Sequence, residues 1–169
     1  MENRTRQQYN YHNWANKRIF NHLKELPGRV YDREIKSVFS SVEEVVVHIY
    51  RTDGMWLSVM SGDPFEETMT VINKLKENVA GQDLEGMEKL YSEMSRKYDE
   101  FFEGQDDLDT VITIEHPKYG KLDAPISSLV HHVVNHGTYH RGNITAMLRQ
   151  QGHEGVPTDF IFYLYEKDK

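Results

Sequence analysis

The stretch that most restricts this chain is 126–152, ISSLVHHVVNHGTYHRGNITAMLRQQG. Side chains four apart share a helical face, so His132, His136 and His140 stack one above the next. Leu129, Val130, Val133, Ile144, Met147 and Leu148 fill much of the surrounding face, which places the histidine stripe at the border of a core. Pro125 suits the first turn and Gly152 suits the residue just past a helix end, so the spacing predicts one long helix. Two imidazoles on adjacent turns of a rigid element can reach a single ion. Such a pair leaves the ion short of ligands, and at least one more donor must come from elsewhere in the chain.

Composition narrows what that donor is. The 169 residues include no cysteine, which excludes disulfides, thiolate catalysis and cysteine-rich zinc ligation. A transition-metal site must then be built from histidine and carboxylate. The formal net charge of −7 argues against a broad nucleic-acid-binding face. No apolar run is long enough to span a bilayer, and MENRTRQQYN lacks an apolar signal core, so a cytoplasmic protein is expected. Hydrophobic residues at 38% and charged residues at 28% describe an ordinary globular chain, and the length fits a single domain, 1–169.

Taken in order, 5–26 reads as an amphipathic helix carrying Tyr9, Trp14, Ile19, Phe20, Leu23 and Leu26, ended by Pro27-Gly28. His12 and His22 lie on it without a helically spaced partner and are read as surface or hydrogen-bonded histidines. Residues 27–40 read as a loop. A second helix follows to about Met60, with Ser41 and Glu44 at capping-box spacing and Ser40 with Glu43 as the alternative. Val45, Val46, Ile49, Trp56, Leu57 and Met60 form its apolar stripe, and His48 sits at the edge. Residues 66–80 read as a short helix and 84–102 as a longer one whose Leu84, Met87, Leu90, Tyr91, Met94, Tyr98, Phe101 and Phe102 recur at threes and fours. The β-branched, alternating 110–114, the turn-rich 116–120 and a short return strand predict a hairpin before the last long helix. In the tail, Thr158 is read as the cap of a short helix with Phe160, Ile161, Leu164 and Tyr165 packed inward, with a strand as the alternative. The expected architecture is all-α: a four-helix bundle with one small hairpin.

Helices of a bundle bring side chains to shared interior points, so His48 with His136 and His140 would supply three neutral imidazoles. Three protein ligands with open positions describe a reactive metal site and not a closed structural one. Zinc, nickel, iron and cobalt all accept imidazole, so the residues alone do not choose the metal. The bland reading of His48 is a core histidine satisfied by one hydrogen bond. Gly137 follows His136, so the glutamate of His-Glu-x-x-His peptidases is missing and peptidase chemistry loses its general base.

His48-Ile-Tyr-Arg-Thr-Asp53-Gly-Met-Trp56, followed downstream by Asn135-His136-Gly-Thr-Tyr-His140-Arg141-Gly142, resembles the DinB family of the DinB/YfiT-like metalloenzyme superfamily. The resemblance runs over essentially the whole chain. It implies a four-helix bundle, often a homodimer, holding a divalent metal on three histidines, which fall on His48, His136 and His140. Zinc or nickel is the foremost candidate, with iron, cobalt or manganese as alternatives. It also implies chemistry on a small molecule: hydrolysis or group transfer with water or a low-molecular-weight thiol such as bacillithiol or mycothiol, as in thiol-dependent transferases of the superfamily. The family name records damage-inducible expression and does not imply DNA binding. No individual catalytic residue follows from the resemblance.

Around the three ligands, His132 is expected to line the site and His131 to point away by helix geometry. Glu44, one turn before His48, is read as a helix cap, with orienting an imidazole as the alternative. Asp53 is read either as a support for a ligand or as part of the bundle interface. Arg141 cannot share the direction of His140; its two readings are a structural salt bridge and a holder of an anionic substrate. Trp56 and Tyr139 are read as packing, with lining of the pocket mouth as the alternative for Trp56. Two rival readings of the whole remain: a non-catalytic stress-response protein with a structural or sensory metal, and a structural module with buried, hydrogen-bonded histidines.

Overall fold

Capping chemistry fixes where the long helices begin. The computed structural model describes residues 3–169. Asn3 accepts from Thr5 N–H at 2.8 Å and opens α1 (Arg4–Glu25). Ser41 accepts from Glu44 N–H at 3.2 Å and opens α3 (Val42–Met60), while the Glu44 carboxylate reaches back to Ser40 N–H at 3.0 Å. Asp83 accepts from Gly86 N–H at 2.8 Å and opens α5 (Leu84–Glu103). Each satisfies an N–H that the helix itself leaves without a partner. The remaining elements are α2 (Arg29–Asp32), α4 (Phe65–Asn78), β1 (Val111–His116), β2 (Gly120–Pro125), α6 (Ile126–Gln150) and α7 (Phe160–Glu166).

Helix α1 packs on α6, α6 on α3, α3 on α5 and α5 on α1, so these four close into a bundle, and α4 lies against α3. The face of α6 predicted to be apolar is buried: Leu129, Val130, Val133, Ile144, Met147 and Leu148. From α1 and α5 the core receives Tyr9 and Tyr98, stacked at 4.1 Å between ring centroids, with Phe102 edge-on to Tyr9. Tyr98 Oη donates to the Asp53 carbonyl at 2.8 Å, which satisfies a hydroxyl that would otherwise be stranded.

The antiparallel hairpin pairs Val111 with Pro125 and His116 with Gly120. It also starts α6. Pro125 is the residue that caps this helix, one position before the predicted first turn, and it offers no side-chain cap. Instead Ile126 N–H donates to Thr110 O at 3.0 Å and Ser127 N–H to Leu108 O at 2.7 Å, so the base of the hairpin satisfies the first amides of α6. Gly152, at φ +84°, ends the same helix in the left-handed region as expected.

The structure departs from the sequence reading at two places. Segment 27–40 is not all loop: Pro27 O accepts from Val30 N–H at 2.9 Å and α2 forms one turn, which buries Val30 and Tyr31. In the tail, Thr158 is not the cap; its carbonyl accepts from Tyr11 Oη at 2.9 Å, and Asp159 precedes α7 without a side-chain bond. Nor do Phe160, Ile161 and Tyr165 pack inward. They are 38%, 52% and 68% exposed, Leu164 is half-buried, and Tyr163 is the residue that α7 buries. A helix of seven residues seats a single face, here against Tyr11 and Trp14 of α1, where Glu166 also meets Trp14 Nε1 at 3.0 Å. Among the described residues, no helix is long and apolar enough to cross a membrane.

Candidate metal centre

Because α3 and α6 lie side by side, the edge of one apolar stripe meets the edge of the other, and the three histidines converge. His48 Nε2 lies 3.1 Å from His136 Nε2 and 3.1 Å from His140 Nε2. The nitrogens offered by the three rings all fall within 4.8 Å of one another. Two imidazole nitrogens on a tetrahedral zinc, at about 2.0–2.1 Å each, sit roughly 3.3 Å apart, so the spacing already matches a shared ion. The three histidines are positioned to bind a metal ion. His132 is not part of the group: its ring is exposed, 6.2 Å from that of His136, and edge-on to Trp56 at 4.8 Å. His131 is exposed, as helix geometry predicts.

The electrostatics favour the ligating form. Burial lowers the pKa of all three rings. For His136, burial acts first, then His140, His48, His132 and His12, and the value falls to about 3. For His48 the Arg51 charge adds to burial while Asp53 opposes it. Neutral imidazoles crowded nitrogen to nitrogen have lone pairs that a cation satisfies and another imidazole lone pair does not. Of the outer nitrogens, His140 Nδ1 lies 3.1 Å from the Asn143 side-chain amide nitrogen, which holds the ring against the next turn of α6. His136 Nδ1 is buried without a partner. Phe39, carried by the irregular segment before Ser41, packs on His48 at 5.3 Å and His140 at 5.5 Å and shields that side of the group.

Behind the histidines lies a buried network that the sequence reading did not assemble. Asp53 on α3 meets His12 Nε2 on α1 at 2.8 Å, and both are sealed from solvent. Arg141 on α6, 1% exposed, donates through Nη1 to Asn16 Oδ1 at 2.9 Å and His12 Nδ1 at 3.2 Å, and through Nη2 to Thr138 Oγ1 at 3.0 Å. A guanidinium only donates, so His12 Nδ1 accepts, and the ring proton sits on Nε2 and points at Asp53. This decides between the two readings of Arg141. It is structural, though through histidine, amide and hydroxyl and not through a direct salt bridge, and at 1% exposure it meets no substrate. Asp53 correspondingly serves the helix interface. Gly137 has its reason here too: a Cβ at that position would run into His12 Cε1 and Nδ1 and the Arg141 guanidinium. The residue after His136 is therefore fixed by the ring lying on the α6 backbone. Two signals for the network were present in the sequence, His12 with Asn16 one turn apart and a glycine inside a helix, but neither names its partner.

Fold and site together define a class: an α-helical bundle with a three-histidine group, positioned to hold a metal ion, between two of its helices. Comparison with known proteins agrees. The model of the DinB family matches residues 1–169. "Protein DinB" of Bacillus subtilis (strain 168) is 44% identical over 157 residues, which cover 93% of this chain and 91% of that protein. The chain belongs to the DinB family.

Proposed function

We propose that this chain is a metal-dependent enzyme in which His48, His136 and His140 hold a divalent ion and a small molecule reacts beside it, by hydrolysis or group transfer. The observation that carries the reading is the convergence of three neutral imidazole nitrogens at ligand spacing, with His48 also lining a surface cleft. An ion held there supplies Lewis acidity toward an incoming water or low-molecular-weight thiol. The residues of the chain do the rest. Phe39 covers one side of the histidines, the Asn143 amide fixes the His140 ring, and the Asp53–His12–Arg141 network holds α1, α3 and α6 together so that His48 faces His136 and His140. Zinc or nickel is the preferred ion, with iron, cobalt or manganese compatible with the same donors. A cytoplasmic, single-domain protein acting as a homodimer completes the proposal.

The test is turnover. Metal-loaded protein is screened against hydrolase substrates and against thiol-transfer pairs using bacillithiol, mycothiol and simple thiols. The reading expects at least one class to react, with the rate lost in His48→Ala. A loaded site without turnover in any class refutes it in favour of a structural or sensory metal.

A further inference from the structure

Arg51 stands one turn along α3 from His48 and lines the same cleft, about 530 Å3 in volume, together with Phe39, Glu43, Glu44 and Val47. That size suits a small molecule. Arg141 finds partners for Nη1 and Nη2 although its Nε has none, whereas Arg51 makes no side-chain hydrogen bond among the described residues: its Nε is buried without a partner, and the ion pairs among those residues do not include it. The carboxylates nearby do not complete it. Glu44 is engaged with Ser40 N–H at 3.0 Å, and burial raises the pKa of Glu43, helped by Asp32 and Glu44. Phe39 and Val47 give the cleft an apolar wall.

A half-buried arginine whose Nε is buried without an acceptor, in a cleft that His48 also lines, is the anchor half of a charge-assisted pair. We infer that Arg51 anchors a carboxylate of the small molecule that reacts at His48, His136 and His140, with the apolar part of that molecule against Phe39 and Val47. Residues three apart on a helix have Cβ atoms about 5–6 Å apart, so a carboxylate two or three bonds from the reacting atom spans the gap. The inference rests on the metal-centre reading for the position of the reacting end; the anchor itself rests on Arg51.

The test loads the full chain with Co(II) and titrates it with 3-mercaptopropionate and with 2-mercaptoethanol, following the thiolate-to-cobalt charge-transfer band. Wild type is expected to bind the carboxylate thiol about tenfold more tightly, as one charged hydrogen-bonding pair supplies. In Arg51→Met the ratio falls to about one, and in Arg51→Lys to an intermediate value, with cobalt content and helical circular dichroism unchanged. No preference in cobalt-loaded wild type, or a preference that survives in Arg51→Met, overturns the inference. If Arg51→Met does not fold, the fall in Arg51→Lys decides. If wild type binds no cobalt, the metal reading fails by itself, and the anchor is judged by titrating propionate against the Arg51 side-chain N–H signal in NMR. A saturable shift then supports it and a flat titration overturns it.

Discussion

Replacing Arg141 by methionine tests the buried network most severely. The guanidinium is 1% exposed and makes hydrogen bonds at 2.9, 3.0 and 3.2 Å to Asn16, Thr138 and His12. Methionine fills comparable volume but leaves Asn16 Oδ1 and His12 Nδ1 without a donor and Asp53 as a buried carboxylate with no cation nearby. Removing one member of a buried charged set costs about 3–5 kcal/mol. At about 2–4 °C per kcal/mol for a chain of this size, the melting temperature should fall by roughly 6–20 °C. With total stabilities of about 5–15 kcal/mol, most of the protein should remain folded at room temperature and permit a second reading, metal content. The assay is thermal unfolding by circular dichroism beside metal analysis of the folded sample. Arg141→Lys, which keeps the charge but not the fork, should fall between the two. A melting temperature within about 2 °C of wild type, combined with loss of binding to an anionic ligand, would refute the structural assignment and return Arg141 to the substrate.

Two glycines on α6 should answer oppositely to alanine. Gly137→Ala drives a methyl into a His12 ring already held by Asp53 and Arg141; overpacking of about 1–3 kcal/mol outweighs the helix propensity gained, and urea denaturation should show a net loss near ~1 kcal/mol. Gly142→Ala meets open space and should stabilise by about 0.5–1 kcal/mol; a loss there would point to a contact that the free chain does not show. Tyr98→Phe removes the donor to the Asp53 carbonyl and should cost about 1 kcal/mol in the same assay. Ser41→Ala removes the cap of α3 and should cost about 1 kcal/mol, with helix content otherwise retained.

What the sequence revealed and what it hid follow from the range of the forces involved. Helical periodicity is a local property, so α1, α3, α5 and α6 could be read from spacing, and β-branched alternation at 110–114 marked the hairpin. The meeting of His48 with His136 and His140 was legible because each sits on the rim of an apolar stripe, and stripes of neighbouring helices must face each other. Periodicity tells which face turns inward but not what lies opposite. His12, Asp53 and Arg141 are separated by 41 and 88 residues, and no local rule joins them. The single-turn α2 depends on Val30 and Tyr31 reaching a core built by other segments. Helix α7 erred in the other direction: its aromatic composition suggested burial, yet seven residues against α1 seat only Tyr163 fully.

The central claim is that three histidines hold one ion, and metal content tests it most directly. Protein purified without a histidine tag is analysed by elemental mass spectrometry as wild type, His48→Ala and His136→Ala, with folding verified by circular dichroism. Wild type should carry close to one divalent ion per chain, and both variants should carry background. Background metal in all three, with the fold intact and the ion supplied in excess, would contradict the claim and leave the cluster as three hydrogen-bonded imidazoles.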